Sequence, residues 1–464
     1  MSTATRRIPL SAPWLDERDE ELVLEVLRSG HLSLSPVGPR FEGMLADAVG
    51  APHCAAVSSG TAGLHLCMVL AGVGPGDEVI TSPYSFVASA NCAIYAGATP
   101  VFADVDAGTL NLDPAAVEAA VTSRTKAIVA VDIFGYPCEL DELRAICEKH
   151  GLYLVEDACE ALGAVYKGKP LGSHGHPATW AFYPNKQITT GEGGAVTTGS
   201  EDEHALLVSL RNQGRLETSS WLQHGRLGFN YRLDDISAAL GIGQLERLDT
   251  ILEARRAVAE RYTELLADVD VETPVPDDDD HVRSWFVYVV KVPSGVGRDG
   301  VMARLSADGI ASAPYIPSIH LQSYMRERYG FSEGMCPVSE DASARTMAIP
   351  FHARLPLEDQ ERLSLTDDED HVRSWFVFVV KLPAGVDRGR VMARLDAEGI
   401  ATAPYLPSIH LQSYMRERYG FGEGLCPVSE DASARTMAIP FHALLGREDQ
   451  ERVVEALAAA LAAS

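Results

Sequence analysis

The stretch ATWAFYPNKQITTGEGGAVTT sets one lysine, Lys186, as the only basic residue of a loop between two apolar, strand-like runs, in a run uncharged from Ala178 up to Glu192 apart from the lysine itself. An amine in such partly dry surroundings gives up its proton more readily than in water and can attack a carbonyl as the free base. A lysine at the tip of a surface loop would leave the same trace. Upstream, LYLVEDACEAL reads as a buried strand ending in carboxylates, with Asp157 at its carboxyl end, where open α/β sheets bind ligands. An anion there could keep a ring nitrogen protonated; an ordinary helix-capping aspartate is the plainer alternative. In VSSGTAGLHL a strand ends, Gly60 lets the backbone turn closely and Thr61 opens a helix. Free amides at that helix start, aided by the hydroxyls of Ser59 and Thr61, suit a phosphate. Neither a P-loop nor a GxGxxG signature is present, and a simple Ser/Thr cap would look alike.

These side chains need a scaffold to bring them together. Over the first 250 residues short apolar runs alternate with helical patterns, which predicts an α/β layer fold. Strands are expected over 54–58, 78–81, 100–104, 127–133, 152–156, 178–183 and 194–198, and helices over 62–72, 86–96, 114–121 and 139–150. Asp113-Pro114 is a start signal and His150-Gly151 a stop signal. One long amphipathic stretch, 234–266, leads out of this domain, with Ile236, Leu240, Ile242, Leu245 and Leu248 at helical spacing.

Beyond it the chain repeats itself. Residues 281–360 recur as 371–450 with roughly four residues in five identical, and CPVSEDASARTMAIPFHA returns unchanged. An acidic run precedes each copy, 277–280 and 367–370, which suits a solvated boundary. Two copies of this length do not make a solenoid; they predict a small domain present twice. The expected domains are residues 1–250, 251–365 and 366–464. Only the second copy runs on into a full helix, EDQERVVEALAAALAAS.

The chain has 464 residues, 46% hydrophobic and 22% charged, ordinary for a globular protein. Acidic residues outnumber basic ones, 65 to 39, for a formal charge of −26. Such a surface repels phosphate backbones, so nucleic acid is not an expected partner, and an anionic ligand needs a local site. The eight cysteines lack metal-like spacing; Cys54, Cys67, Cys92 and Cys147 lie in apolar runs and read as buried thiols. No metal is expected. No segment has the apolar length of a signal peptide or a membrane span, so a cytoplasmic protein without a membrane partner is expected.

Phosphate cup, carboxylate and lysine follow one another in the order of fold type I pyridoxal-phosphate (PLP) enzymes. At this point the chain resembles the nucleotide-sugar aminotransferases of DegT/StrS type. PWLDERDEELVLEVLRSG, GPGDEVITSPYSFVASANCAIYAGATPVFADVD, YLVEDACEALGAVYKGKPLGS, NKQITTGEGGAV and GFNYRLDDISAALGIGQLERLD carry the likeness. It implies a large domain with a mostly parallel seven-stranded sheet and a small α+β C-terminal domain. It implies further that Lys186 forms the Schiff base and shuttles the proton, and that Asp157 pairs with the pyridine nitrogen. Gly60 and Thr61 would hold the phosphate and Phe86 would stack on the ring. Asn230 would reach the phosphate of a neighbouring subunit, which implies a homodimer with shared sites. The segment from Tyr315 to His320 would border the substrate, and Tyr405 and His410 are its counterparts in the second copy; either histidine reads equally as a substrate contact or as a structural residue at a domain seam. The implied reaction is transamination of a keto group on a nucleotide-linked deoxysugar, with glutamate as donor. Arg211, Arg215, Arg226 and Arg232 are candidates for phosphate or carboxylate contacts.

The chain departs from the family pattern in three ways. Ala181-Phe182-Tyr183 stands where many members have Ser-Phe-His, removing a hydroxyl from the phosphate cup. Glu160 replaces a Gln or His near the cofactor's phenolic oxygen, where a carboxylate would repel a phenolate unless protonated or turned away. The small domain occurs twice. An amino-cyclitol transaminase, a PLP-dependent sugar dehydratase and a non-catalytic PLP-binding sensor or assembly protein are the alternatives; the dehydratase branch has histidine where this chain has Lys186. Of the two small-domain copies, the first is expected to dock on the large domain because it follows the 234–266 stretch directly, leaving the second as an appendage or an oligomer contact; the rival expectation puts the second copy in that seat, since it retains the closing helix.

Overall fold

A computed structural model describes residues 7–216, 223–363, 378–383, 385–404, 408, 411–412, 416, 418, 422–440 and 447–462. The chain divides into two compact units, Met1–Thr366 and Asp367–Ser464.

The first unit is built on a seven-stranded sheet. Its strands are β1 (His53–Val57), β2 (Glu78–Thr81), β3 (Thr99–Phe102), β4 (Thr125–Val131), β5 (Tyr153–Asp157), β8 (Ala178–Ala181) and β9 (Gly194–Thr198); β6 (Val165–Tyr166) and β7 (Lys169–Pro170) lie outside it. The spatial order is β1-β9-β8-β5-β4-β2-β3. From β3 to β8 neighbours run parallel, and β9 is antiparallel to both β8 and β1. The seven expected strands are all present, with ends shifted by a residue or two. Parallel neighbours need crossover connections, and the helices Ala88–Tyr95, Pro114–Ala120 and Leu140–His150 supply them. Residues such as Ile128, Leu154 and Trp180 feed one core and Val129, Val155 and Val196 another. A sheet buried on both faces reads as continuous apolar runs rather than alternation.

The 234–266 stretch is not one helix. Helices Asp235–Glu246 and Leu248–Leu265 meet at Arg247, whose φ of −128° and ψ of 22° break the ladder. Its guanidinium is held at the break by Asp16, Asp19 and the Trp14 carbonyl. Periodicity survives such a break, so the pattern alone joins the two helices.

Within the same unit, β10 (His281–Val282) extends β6 and β7, while β11 (Tyr288–Lys291), β12 (Ala313–Pro314) and β13 (Thr346–Ile349) form an antiparallel sheet in the order β11-β13-β12. This first copy is fastened to the large domain by side chains on both sides. The Tyr84 hydroxyl donates to the Tyr315 carbonyl at 2.7 Å, and the Asp104 carboxylate accepts from the Val338 and Ser339 amides at 2.9 and 3.0 Å. The acidic run 277–280 caps its own turn: the Asp278 carboxylate accepts from the His281 amide at 2.7 Å.

The second unit contains β14 (Phe378–Lys381), β15 (Ala403–Pro404) and β16 (Thr436–Ile439) in the order β14-β16-β15. The Phe378–Ile439 pairing repeats the Tyr288–Ile349 pairing of the first copy. It has its own core, where Val453 and Ala456 of the helix Arg447–Ala462 join Leu382, Val391, Leu395 and Met437. The acidic run 367–370 lies outside the described residues. Among the described residues no helix is long and apolar enough to cross a membrane, and no group of His, Cys, Asp and Glu could hold a metal ion.

Candidate active site

A cavity of about 660 Å³ opens at the carboxyl ends of β4 and β5, and the first small-domain copy contributes Phe286 and Tyr315 to its wall. Gly60, Thr61, Phe86, Asp157, Glu160 and Lys186 all line it.

The helix Gly60–Leu70 starts three residues after β1 ends, and Ser59 caps it by accepting from the Ala62 amide at 3.1 Å. The amides of Gly60 and Thr61 belong to the first turn, which has no intrahelical acceptors. Gly60 is there for closeness rather than for unusual torsion. A Cβ on it would lie 2.8 Å from Cys159 Sγ and 2.9 Å from Ala181 Cβ. The helix start therefore rests directly on the end of β8, and its amides form a cradle a side chain would disturb. This fits a bound phosphate, even without the serine hydroxyl that Ala181 lacks.

Asp157 is the last residue of β5 and nearly buried. Its Oδ2 accepts from Ser89 Oγ at 2.7 Å and its Oδ1 from the Cys159 amide at 3.3 Å. A carboxylate offers about four acceptor sites, so capacity remains on the cavity side for a protonated ring nitrogen. Ser89, one helical turn beyond Phe86, is a partner that sequence reasoning missed; nothing local marks it.

Glu160 is turned away from open solvent and toward two donors. Its Oε2 accepts from the Phe134 amide at 3.0 Å, and Lys186 Nζ lies 3.4 Å from its Oε1. Phe134 reaches that position only with φ at +57°, a left-handed conformation rarely adopted by bulky residues and held here by its surroundings. Burial pushes the Glu160 carboxyl above the usual carboxylate range, while Lys186 opposes that shift.

Lys186 follows a turn in which its amide donates to the Tyr183 carbonyl at 2.9 Å. Its Nζ sits 4.0 Å above the Phe286 ring, a desolvated cation–π placement. Buried Arg255 ties the lysine loop to the small domain by donating to the carbonyls of Lys186 at 2.8 Å, Trp285 at 3.2 Å and Phe286 at 3.1 Å. Burial pulls this guanidinium down to about 10. Phe286 and Arg255 both escaped the sequence reading, because their roles exist only once the two domains meet.

Phe86 stands at the cavity with 66% of its surface exposed, so one ring face is free. Tyr315 lines the same cavity. His320 does not line the cavity: it is fully buried, with Nε2 3.0 Å from Glu340 Oε1 and its ring packed near Phe102. Asn230 is exposed, bridged to Asn212, and away from this chain's own cavity wall. Arg211 is engaged by Glu42 and Arg232 by Asn212, and none of the four candidate arginines lines the cavity. Tyr405 and His410 lie outside the described residues.

Comparison with known proteins places this geometry. The chain matches the DegT/DnrJ/EryC1/StrS aminotransferase family over residues 13–366 and again over 361–458. GDP-perosamine synthase of Caulobacter vibrioides is 38% identical over 373 residues, covering 78% of this chain and 98% of the relative. DesV of S. venezuelae superposes with a TM-score of 0.73 at 31% identity, over 78% of this chain and all of that one. A sugar aminotransferase homologue from Streptococcus pneumoniae, solved in PLP and PMP forms, gives TM-scores of 0.73 and 0.74 at 28% identity. Each form covers 77% of this chain, and 96% and 95% of its own. The relatives are matched almost end to end, so the extra length belongs to this chain.

Proposed function

The chain belongs to the DegT/DnrJ/EryC1/StrS aminotransferase family, which is PLP-dependent, and on that premise we propose that it aminates a keto group of a nucleotide-linked deoxysugar with glutamate as donor. The observation that carries the reading is one cavity holding Lys186, Asp157 and the Gly60-Thr61 turn together. Names of relatives such as GDP-perosamine synthase support a sugar substrate.

Bound PLP supplies a carbonyl that accepts the amino group and a pyridine ring that withdraws electrons from the reacting carbon. Asp157 keeps the proton on the ring nitrogen, and Ser89 fixes the orientation of that carboxylate. The amides of Gly60 and Thr61 hold the phosphate, and Phe86 covers one ring face. Lys186 Nζ, freed from solvent by Phe286, moves the proton at the reacting carbon. Glu160 Oε1, 3.4 Å from Lys186 Nζ, positions that amine within the cavity. Tyr315 borders the substrate from the small-domain side. The protein acts as a cytoplasmic homodimer in which Asn230 serves the partner's site, a reading supported by the exposure of Asn230 and by its not lining its own cavity.

The test is spectroscopic. Purified protein with PLP is expected to show a visible absorbance band that glutamate removes and a keto-sugar nucleotide restores. Protein that binds PLP yet ignores every amino donor would overturn the transaminase reading in favour of a PLP-binding sensor.

A further inference from the structure

We propose that Asn111 and Gln187, neither of which lines the cavity, are positioning residues for Lys186: they fix Glu160 from two sides, and Glu160 fixes where the amine stands. The proposal rests on the reading of Lys186 as the amine that bonds the cofactor.

Glu160 is held at both ends. One oxygen of its side chain, Oε2, accepts from the Phe134 amide at 3.0 Å, which leaves Oε1 for Lys186 Nζ at 3.4 Å. Its backbone carbonyl accepts from Gln187 Nε2 at 2.5 Å, and the same nitrogen donates to Ser284 Oγ at 2.9 Å. A side-chain amide nitrogen carries two protons, so both are engaged. Gln187 is buried and follows Lys186 directly. It therefore ties the lysine's own loop to the backbone of the carboxylate that faces the lysine.

The Phe134 amide points at Glu160 only because of the turn that carries it. Phe134 has φ +57° and ψ 19°, and Gly135 follows with φ +83°. Left-handed torsions at a bulky residue need outside support, and Asn111 gives it. This side chain is buried; its Oδ1 accepts from the Ile133 amide at 2.9 Å, and its Nδ2 donates to the Tyr136 and Pro137 carbonyls at 2.9 and 3.0 Å. One side-chain amide thus brackets Phe134 from before and after. Asp132 closes the turn by accepting from the Cys138 amide at 2.9 Å. The Phe134 ring packs edge-on against Tyr84 at 5.9 Å and meets Tyr315 of the cavity wall at 5.4 Å.

The two routes meet at Gly135, whose carbonyl accepts from the Ser284 amide at 3.0 Å. A Cβ on Gly135 would lie 2.8 Å from Ser284 Oγ and 3.0 Å from the Glu160 carbonyl oxygen. Turn, lysine loop and small domain are in direct contact there. A shift in the turn, or the loss of the Gln187 bonds, moves Glu160 relative to Lys186.

N111L and Q187M test the assignment. Leucine matches the size of Asn111 and offers none of its three bonds; methionine keeps the reach of Gln187 without its donors. In the full chain freed of cofactor, each variant is expected to develop the visible PLP band about fivefold more slowly than wild type, the scale of one lost hydrogen bond. Pyridoxamine phosphate has no carbonyl for the lysine to attack, and is expected to bind both variants with the wild-type dissociation constant. On an E160A background the two substitutions are expected to slow the band no further, because the side chain through which they act is gone. Q187M carries the test alone if N111L does not fold. A wild-type rate of band formation, a matching loss of pyridoxamine phosphate affinity, or an undiminished further slowing on E160A overturns the proposal. None of these readouts uses an amino donor or a sugar, so a failure of the transaminase reading is told apart from a failure of this one.

Discussion

Replacing Gly60 by alanine tests the phosphate cup at its tightest point. The new Cβ would stand 2.8 Å from Cys159 Sγ and 2.9 Å from Ala181 Cβ, both closer than carbon tolerates. The thiol can rotate away, but Ala181 Cβ is fixed to the backbone of β8 and cannot. The helix start must therefore rise off the strand, at an overpacking cost of about 1–3 kcal/mol. Because the amides of Gly60 and Thr61 ride on that start, the bound phosphate loses the equivalent of one charge-assisted hydrogen bond, about 1.5–3 kcal/mol. That corresponds to a PLP dissociation constant raised about 10- to 150-fold. Titrating cofactor-free protein with PLP and following the visible band measures it. G60A/A181G removes the rigid contact and is expected to recover most of the affinity. An unchanged dissociation constant in G60A, or a loss that A181G leaves untouched, would refute the cradle argument.

Three further outcomes follow from the site. Burial raises the Glu160 carboxyl above its unfolded value, so the folded protein binds that proton more tightly and loses stability as pH rises from about 4.3 through the raised folded value. E160Q is expected to flatten the melting-temperature profile across that window, and parallel profiles for the two proteins would contradict it. R255M strips donors from the carbonyls of Lys186, Trp285 and Phe286, about 1–3 kcal/mol each. Set against about 3 kcal/mol of relieved desolvation, from 12.5 down to about 10 at 1.36 kcal/mol per pH unit, the expected net loss is about 3 kcal/mol in denaturant unfolding, with lower turnover; a variant as stable and active as wild type would show that Arg255 does not hold the lysine loop. Finally, K186A and N230A proteins, each impaired alone, are expected to regain activity after being unfolded and refolded together, because a hybrid dimer keeps one site with an intact lysine and an intact asparagine. Mixed activity no greater than the sum of the parts would contradict a shared site.

Where the sequence was legible, local chemistry and periodicity were sufficient. The sheet strands were readable because burial on both faces makes them continuous apolar runs, and Asp157 and Gly60 because each sits where a strand stops. Lys186 stood out as the one cation in its loop. What failed to show depends on contacts between distant segments. Ser89 matters only because its helix packs beside the end of β5, and Phe286 only because the small domain closes over Lys186. Arg247 breaks a helix whose periodic pattern runs straight through the break. His320 was legible only as two alternatives, a substrate contact or a structural histidine at a domain seam, and its ring is fully buried and paired with Glu340.

The charge inside the cavity bears on how its ligands are held. Asp157, Glu160 and Glu192 line it, and among the described lining residues Lys186 is the only cation. A phosphorylated cofactor and a nucleotide-linked substrate together bring several negative charges into that acidic setting, in a chain whose formal charge is −26. One helix start offers roughly half a positive charge, which serves the cofactor phosphate and little else. Arg211 and Arg232 are engaged by Glu42 and Asn212, so they do not make up the difference. On the proposed homodimer reading, the remaining source would be the exposed stretch that carries Arg226 and Asn230, serving a neighbour's cavity rather than its own. On that reasoning the acidic wall is tolerable only in the assembled dimer, and a monomeric form is expected to bind PLP weakly even with Lys186, Asp157 and Gly60 intact.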